Sequence, residues 1–207
     1  MAAPTSKRAE TRRKIVGAAA ELFRTHGIDG VGVDAIMKHA GLTHGGFYLH
    51  FPSKDALAAE AARSLLAQSA AKWDAIGRSH GRGAALEQIV IAYLDPVRAV
   101  AGTGCPLTTL GPDVARRPAS RAAIGGALRD MLNTLATVLP PRRRGGALAA
   151  LSTLAGAVML SRLTDDPALA GAFLQAAADA ILPGKPAPGA RRRPAQAKES
   201  LTRQFVS

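Results

Sequence analysis

Residues 40–57 read AGLTHGGFYLHFPSKDAL, from Ala40 to Leu57, and their punctuation decides the fold. Gly41 stops one short helical segment and supplies a left-handed turn residue, because glycine alone adopts positive φ at little cost. Leu42 returns the chain to an apolar core, and Thr43 stands where a hydroxyl can cap the next helix, His44 to about Phe51. Pro52 and Ser53 then open a long helix beginning near Lys54. Two short helices joined by a glycine turn form the helix-turn-helix pattern.

Upstream, Ile15, Val16, Ala19, Leu22 and Phe23 fall on one helical face that ends at Gly27. A second helix is predicted over 33–40, with Val33, Ile36 and Ala40 inward. Downstream, helical spacing is predicted over 54–76, then a glycine-rich linker at 77–83. A further helix over 84–101 is kinked by Pro96, and another starts at Pro106. Ser120 is expected to cap a helix running to Leu139, 145–163 is apolar nearly all round, and Asp166-Pro167 starts the last helix. No strand pattern competes, so the fold class is all-α. The expected organisation is a flexible basic arm (1–10), a helix-turn-helix domain (11–54), a helical ligand-binding and dimerisation domain (55–182) and a disordered basic tail (183–207).

The polar groups around the turn suit a nucleic acid. Thr43, Tyr48, His50 and Lys54 sit at or beside helix ends, where hydroxyls, ammonium groups and free amides bind phosphates. Base reading falls to the first turn of the recognition helix, His44, Gly45 and Gly46, with Phe47 or Leu49 as further candidates. Two glycines bring backbone close but read no base edge, so the side-chain code is thin and DNA shape is expected to share the work. Phe23, Ile36, Leu42, Phe47 and Phe51 also fit a small hydrophobic core. His39, His44 and His50 lack the ligand spacing of a zinc site, so no metal is expected.

Ala40, Gly41, Leu42, Thr43, Tyr48, His50, Phe51 and Lys54, with Phe23, Gly27 and Ile36 upstream, give this stretch a close resemblance to the DNA-binding signature of the TetR family of bacterial regulators. The resemblance covers about residues 10–57. It implies a homodimer bound to a double-stranded operator and a small-molecule effector, with repression as the usual outcome and activation or co-repression as the alternative. Two positions depart from the family pattern. Gly32 stands where many members have Ser or Thr, so it reaches DNA through backbone alone, and Met37 stands where many have Ala.

In the second half, helices 120–139 and 145–163 are expected to form the dimer interface, with Ala149, Ala150, Gly156 and Ala157 permitting close approach. A ligand cavity is expected between 57–76, 84–101 and 106–139, with Trp73, Tyr93, Cys105 and Met131 as candidate lining. Cys105, the sole cysteine, precedes a predicted helix N-terminus, whose dipole favours thiolate. It is therefore a candidate target for an electrophile or oxidant, with a buried apolar filler as the alternative.

Bulk composition agrees. The net charge is +12, with eight Lys/Arg against four Asp/Glu in residues 1–54, thirteen against ten in 55–182 and six against one in 183–207. Basic ends suit a polyanion. A nonspecific architectural DNA-binding protein would share that charge but needs no long apolar second domain. No G-x-S-x-G, no phosphate-binding glycine loop and no histidine near Cys105 in sequence supports an enzyme, and no cofactor motif appears. One cysteine and no apolar stretch after the basic N-terminus point to a cytoplasmic protein without a membrane partner.

Overall fold

A computed structural model describes residues 4–100 and 104–182. The predicted basic tail, 183–207, lies outside the described residues. Helices follow one another as α1 (Pro4–His26), α2 (Val33–His39), a 3-10 recognition helix (His44–Leu49), α3 (Lys54–Ser79), α4 (Arg82–Tyr93), α5 (Pro96–Val100), α6 (Pro106–Ala115), α7 (Pro118–Val138), a second 3-10 turn (Pro141–Gly146), α8 (Ala147–Ser161) and α9 (Pro167–Ile181). Among the described residues there is no strand, as the patterning predicts.

The small N-terminal domain closes around Ile15, Phe23, Ile28, Ile36, Phe47, Phe51 and Leu57, all fully buried. Phe47 and Phe51 stack with centroids 5.9 Å apart. α3 leaves this domain and packs along α7 in the larger one, so a single rod spans both. α8 and α9 form an antiparallel pair beyond α7. Arg143 fastens the end of that pair by donating to the carbonyl oxygens of Ala180 (2.9 Å) and Ile181 (3.4 Å). These carbonyls in the last turn of α9 have no helical partner of their own.

Several local expectations change in the tertiary setting. Residues 4–10, expected as a flexible arm, belong to α1. Lys14 pairs with Glu10 one turn away at 3.1 Å, and Arg8 reaches the Leu49 carbonyl at 2.8 Å, so the basic segment has structural partners. α3 continues through Gly77, the start of the expected linker, to Ser79. A Cβ at Gly77 would stand in ordinary van der Waals contact with Thr134 Cγ2 at 3.5 Å and Val138 Cγ1 at 3.6 Å, so α7 packs along this part of α3. Pro96 breaks its helix rather than bending it, and Asp95 Oδ1 accepts from the Val97 amide at 2.9 Å to open α5.

Ser120 does not cap α7. Arg117 is the N-cap, and Ser120 lies fully buried in the first turn, its Oγ without a hydrogen bond. Asp166 does cap α9, accepting from the Ala168 amide at 2.8 Å. Pro112 interrupts α6 and cannot donate to the Thr108 carbonyl. Arg162, just past α8, donates to that oxygen at 3.3 Å instead, tying α6 to α8. The 21-residue segment Pro141–Ser161 is apolar and long enough to cross a membrane by composition alone. Its Ala150, Leu151, Leu154 and Val158 are nevertheless buried within the chain.

Candidate nucleic-acid interface and adjoining cavity

The turn between α2 and the recognition helix has a defined geometry. Gly41 adopts φ +69°. Its amide donates to the Lys38 carbonyl at 3.1 Å, and the Leu42 amide donates to the Met37 carbonyl at 2.8 Å. This pair of bonds is the Schellman closure that a glycine after a helix provides. Gly27 ends α1 with φ +72°, its amide donating to the Phe23 carbonyl at 2.9 Å.

Beyond the turn, Thr43, His44 and Gly45 are exposed, and Tyr48 and Leu49 are 66% and 69% exposed. No side-chain cap forms at Gly32 or at Thr43, so the expected capping bond from the Thr43 hydroxyl is absent and that hydroxyl stays available. Nothing lies within 4 Å of a Cβ placed on Gly45. This part of the helix presents bare backbone outward. Lys54 occupies the first position of α3, whose N-cap Ser53 accepts from the Ala56 amide at 3.1 Å. Gly32, Thr43, His44, Gly45, Gly46, Tyr48, His50 and Lys54 thus come together around one helix and its two flanking N-termini.

Phe47 departs from the expected set. It is fully buried, packed edge-on against Tyr48 at 5.2 Å and stacked on Phe51, and so belongs to the core. The exposed neighbour is Leu49. His44 pairs with Asp34 of α2, which orients its imidazole beside the helix start. His50 is partly buried and its Nδ1 has no hydrogen bond among the described residues.

Sequence reasoning missed what supports this surface from behind. Arg12 of α1 donates to the His50 carbonyl and to Glu60 of α3, and its guanidinium lies 4.0 Å from the Phe51 ring centroid. Arg8 and Arg12 therefore clamp the end of the recognition helix from two successive turns of α1. Helical spacing on α1 shows that they share a face. Only the tertiary structure shows that the face meets residues 49 and 50.

A cavity of about 400 Å³ opens between the end of α1, the middle of α3, α4, α5 and the start of α6. Three of the four expected lining residues are there: Trp73, Tyr93 and Cys105. Trp73 and Tyr93 meet edge to face at 5.7 Å. Met131, the fourth, is fully buried in the core on α7 and does not line the cavity. Its helix faces α3 from elsewhere, and its thioether fills the packed interior. Arg24, Lys72 and Arg98 also line the cavity and were not foreseen.

Cys105 is the N-cap of α6, as its position before Pro106 implies, yet the expected activation does not follow. Burial pushes the thiol above its ordinary value, outweighing the Leu107 amide, the Tyr93 hydroxyl and the Arg24 guanidinium, which favour the thiolate. At neutral pH the group is a protonated thiol. The Tyr93 phenol is likewise held well above its ordinary value, chiefly by burial and then by the neighbouring Cys105. Its hydroxyl makes no hydrogen bond of normal geometry among the described residues.

The fold and surface define a helix-turn-helix DNA-binding domain carried on a larger helical domain. Residues 15–68 match the family described as bacterial regulatory proteins, tetR family. The chain is 44% identical over 55 residues to YdgC and 40% identical over 57 residues to LmrA, both named as HTH-type transcriptional regulators of Bacillus subtilis (strain 168). Each match takes in 27% of this chain, and 28% and 30% of those two proteins respectively. Over the greater length, the fold resembles a TetR transcriptional regulator from Chloroflexus aurantiacus J-10-FL, with TM-score 0.67 and 25% identity across 85% of this chain and 96% of that one. Over residues 15–68 the chain thus matches the DNA-binding part of TetR-family regulators, and over the greater length it shares their fold.

Proposed function

We propose that this protein is a cytoplasmic, homodimeric transcriptional repressor that binds a palindromic operator and is released from it by a small molecule held in the cavity beside Trp73, Tyr93 and Cys105. The observation that carries the reading is the covalent and packed continuity between surface and cavity. α3 begins at Lys54 on the DNA-facing side and reaches the cavity wall at Trp73. Thr43, Tyr48, His50, Lys54 and the backbone at Gly32 hold phosphates, while His44 and the Gly45-Gly46 backbone approach base edges.

Dimerisation is assigned to α8 and α9. The outward face of α7 carries Arg121, Arg129, Asp130 and Asn133 and suits water, whereas α8 and its end expose Leu148, Met159, Leu160 and Leu163. α9 adds Leu169 to that face. An apolar face of this kind on a helix pair fits a second copy related by a two-fold axis. This proposal keeps the 145–163 helix of the expected interface and takes α9 rather than 120–139 as its partner.

Release follows as a population shift. One spacing of the two recognition helices matches successive major grooves, and a ligand that favours another spacing lowers operator affinity. A protein of this design needs no catalytic group. Footprinting on the DNA flanking its own gene, with transcript measurement after gene deletion, tests the proposal. A protected palindrome with half-sites about one helical turn apart, and raised transcript on deletion, is the expected result. Lowered transcript would make the protein an activator, and protection without a palindrome would remove the dimeric operator.

A further inference from the structure

The cavity has a charge sign that its apolar walls alone do not convey. Arg24, Lys72 and Arg98 line it from three helices, α1, α3 and α5, and among its described lining residues there is no Asp or Glu. The carboxylates of Asp74 and Asp130 line a separate groove between α3 and α7. Tyr93 is 5% exposed and lines the cavity, and its hydroxyl, beside the Cys105 thiol, makes no hydrogen bond of normal geometry among the described residues. A buried unsatisfied hydroxyl costs free energy until a partner arrives. Trp73 and Tyr93 add an aromatic wall, and Leu65, Ile76 and Ala92 add aliphatic surface.

We infer that the effector is a small aromatic carboxylate, its anionic end held by Arg98, Lys72 and Arg24 and its ring against Trp73 and Tyr93. The Tyr93 hydroxyl donates to a ligand oxygen and so gains a hydrogen bond of normal geometry. Guanidinium groups bind carboxylates through charge-assisted, often bidentate hydrogen bonds, which gain strength in a partly desolvated pocket. A cationic ligand would face the like charges of Lys72 and Arg98, with no Asp or Glu among the described lining residues.

The inference deepens the effector-release reading and rests on it for its regulatory consequence. Arg24 stands in the last turn of α1 and donates to the Gly104 carbonyl at 3.2 Å. A carboxylate drawing on Arg24 therefore engages the helix whose earlier turns clamp residues 49 and 50 of the recognition helix.

Trp73 is the sole tryptophan, so its fluorescence reports this cavity. Phenylpropionate, phenylpropionamide and phenylpropylamine are titrated against the full-length chain, and operator affinity is measured in the same samples. The acid should bind at least about tenfold tighter than the amide, the amine weakest, given the strength of charge-assisted hydrogen bonds. Arg98→Gln and the Lys72→Gln/Arg98→Gln pair should erase most of that preference while leaving the thermal transition in place, since both side chains are exposed at the cavity mouth. Equal binding of acid and amide overturns the inference. So does an unchanged preference in the double variant, or no fluorescence response to the acid at about 10 mM, where even an inefficient ligand of this size should register. Acid-selective binding with unaltered operator affinity supports the ligand class and refutes release. Failure of the free protein to bind any operator refutes the regulator reading separately.

Discussion

Asp113 of α6 accepts a hydrogen bond from the Ile28 amide at 2.7 Å, joining the larger domain to the loop that follows α1. The same corner carries Arg117, which pairs with Asp29 of that loop and with Asp55 at the start of α3, the latter at 3.1 Å. α6 begins beside Cys105 at the cavity wall and ends at this corner. One ten-residue helix thus touches both the cavity and the base of the DNA-binding domain.

Removing that hydrogen bond should loosen the corner without unfolding either domain. Asp113→Ala leaves the Ile28 amide unsatisfied and should cost about 1–3 kcal/mol, seen as a drop of several degrees in Tm. Operator affinity without ligand should change little, while its response to ligand should shrink. Full retention of the ligand response would show that coupling runs through α3 alone.

Tyr48→Ala and Lys54→Ala should weaken binding to all operator sequences alike, because the proposal assigns both groups to phosphates. The Lys54 change should also lower the slope of log affinity against log salt by about one unit. A changed base preference with undiminished affinity would assign either residue to base reading.

His44→Ala should relax specificity at one position per half-site and cost affinity mainly for the preferred sequence, by about 1–3 kcal/mol. Asp34→Asn should give a milder version, since Asp34 only orients the imidazole. Selection from a randomised operator library reads both effects.

Leu160 is 44% exposed and Leu163 80% exposed on the α8 side of the assigned interface. Leu160→Glu and Leu163→Glu together would place two charges within a desolvated dimer contact and should give a monomer by sedimentation. Arg129→Glu, on the polar face of α7, should leave the dimer intact. Dissociation by the α7 change would return the interface to that helix.

The Cys105 thiol is raised by burial, so the folded chain should react with iodoacetamide much more slowly at pH 8 than the unfolded chain. The sign for stability follows from the same shift. The contribution of the neutral thiol is complete below the unfolded thiol's pKa, near 9, and is lost as pH rises through the higher folded value. Cys105→Ser should flatten this alkaline decline and leave release by a carboxylate ligand unchanged. Release by a quinone or aldehyde in the wild type but not in Cys105→Ser would establish a second, covalent input.

The all-α class, the helix-turn-helix and most of its outward polar groups are legible along the chain, because they depend on signals within a few residues. Gly41 fixes a turn by its own backbone freedom, Asp166 caps the amide two residues on, and Ile15, Ala19 and Phe23 mark a face by helical period. Trp73, Tyr93 and Cys105 were legible as cavity candidates from their chemistry on predicted helices. The tertiary structure alone decided that Phe47 and Met131 are core, that α8 pairs with α9, and that Arg12 lies under the recognition helix. It alone joined Ile28 to Asp113 and brought Arg24, Lys72 and Arg98 to one cavity. Those contacts link residues 26 to 85 positions apart, and several basic side chains that meet at one place are, along the chain, indistinguishable from solvated charge. Helix periodicity states which face turns inward, but long-range packing selects the partner, and that selection placed the cavity against the helix that supports the DNA-binding surface.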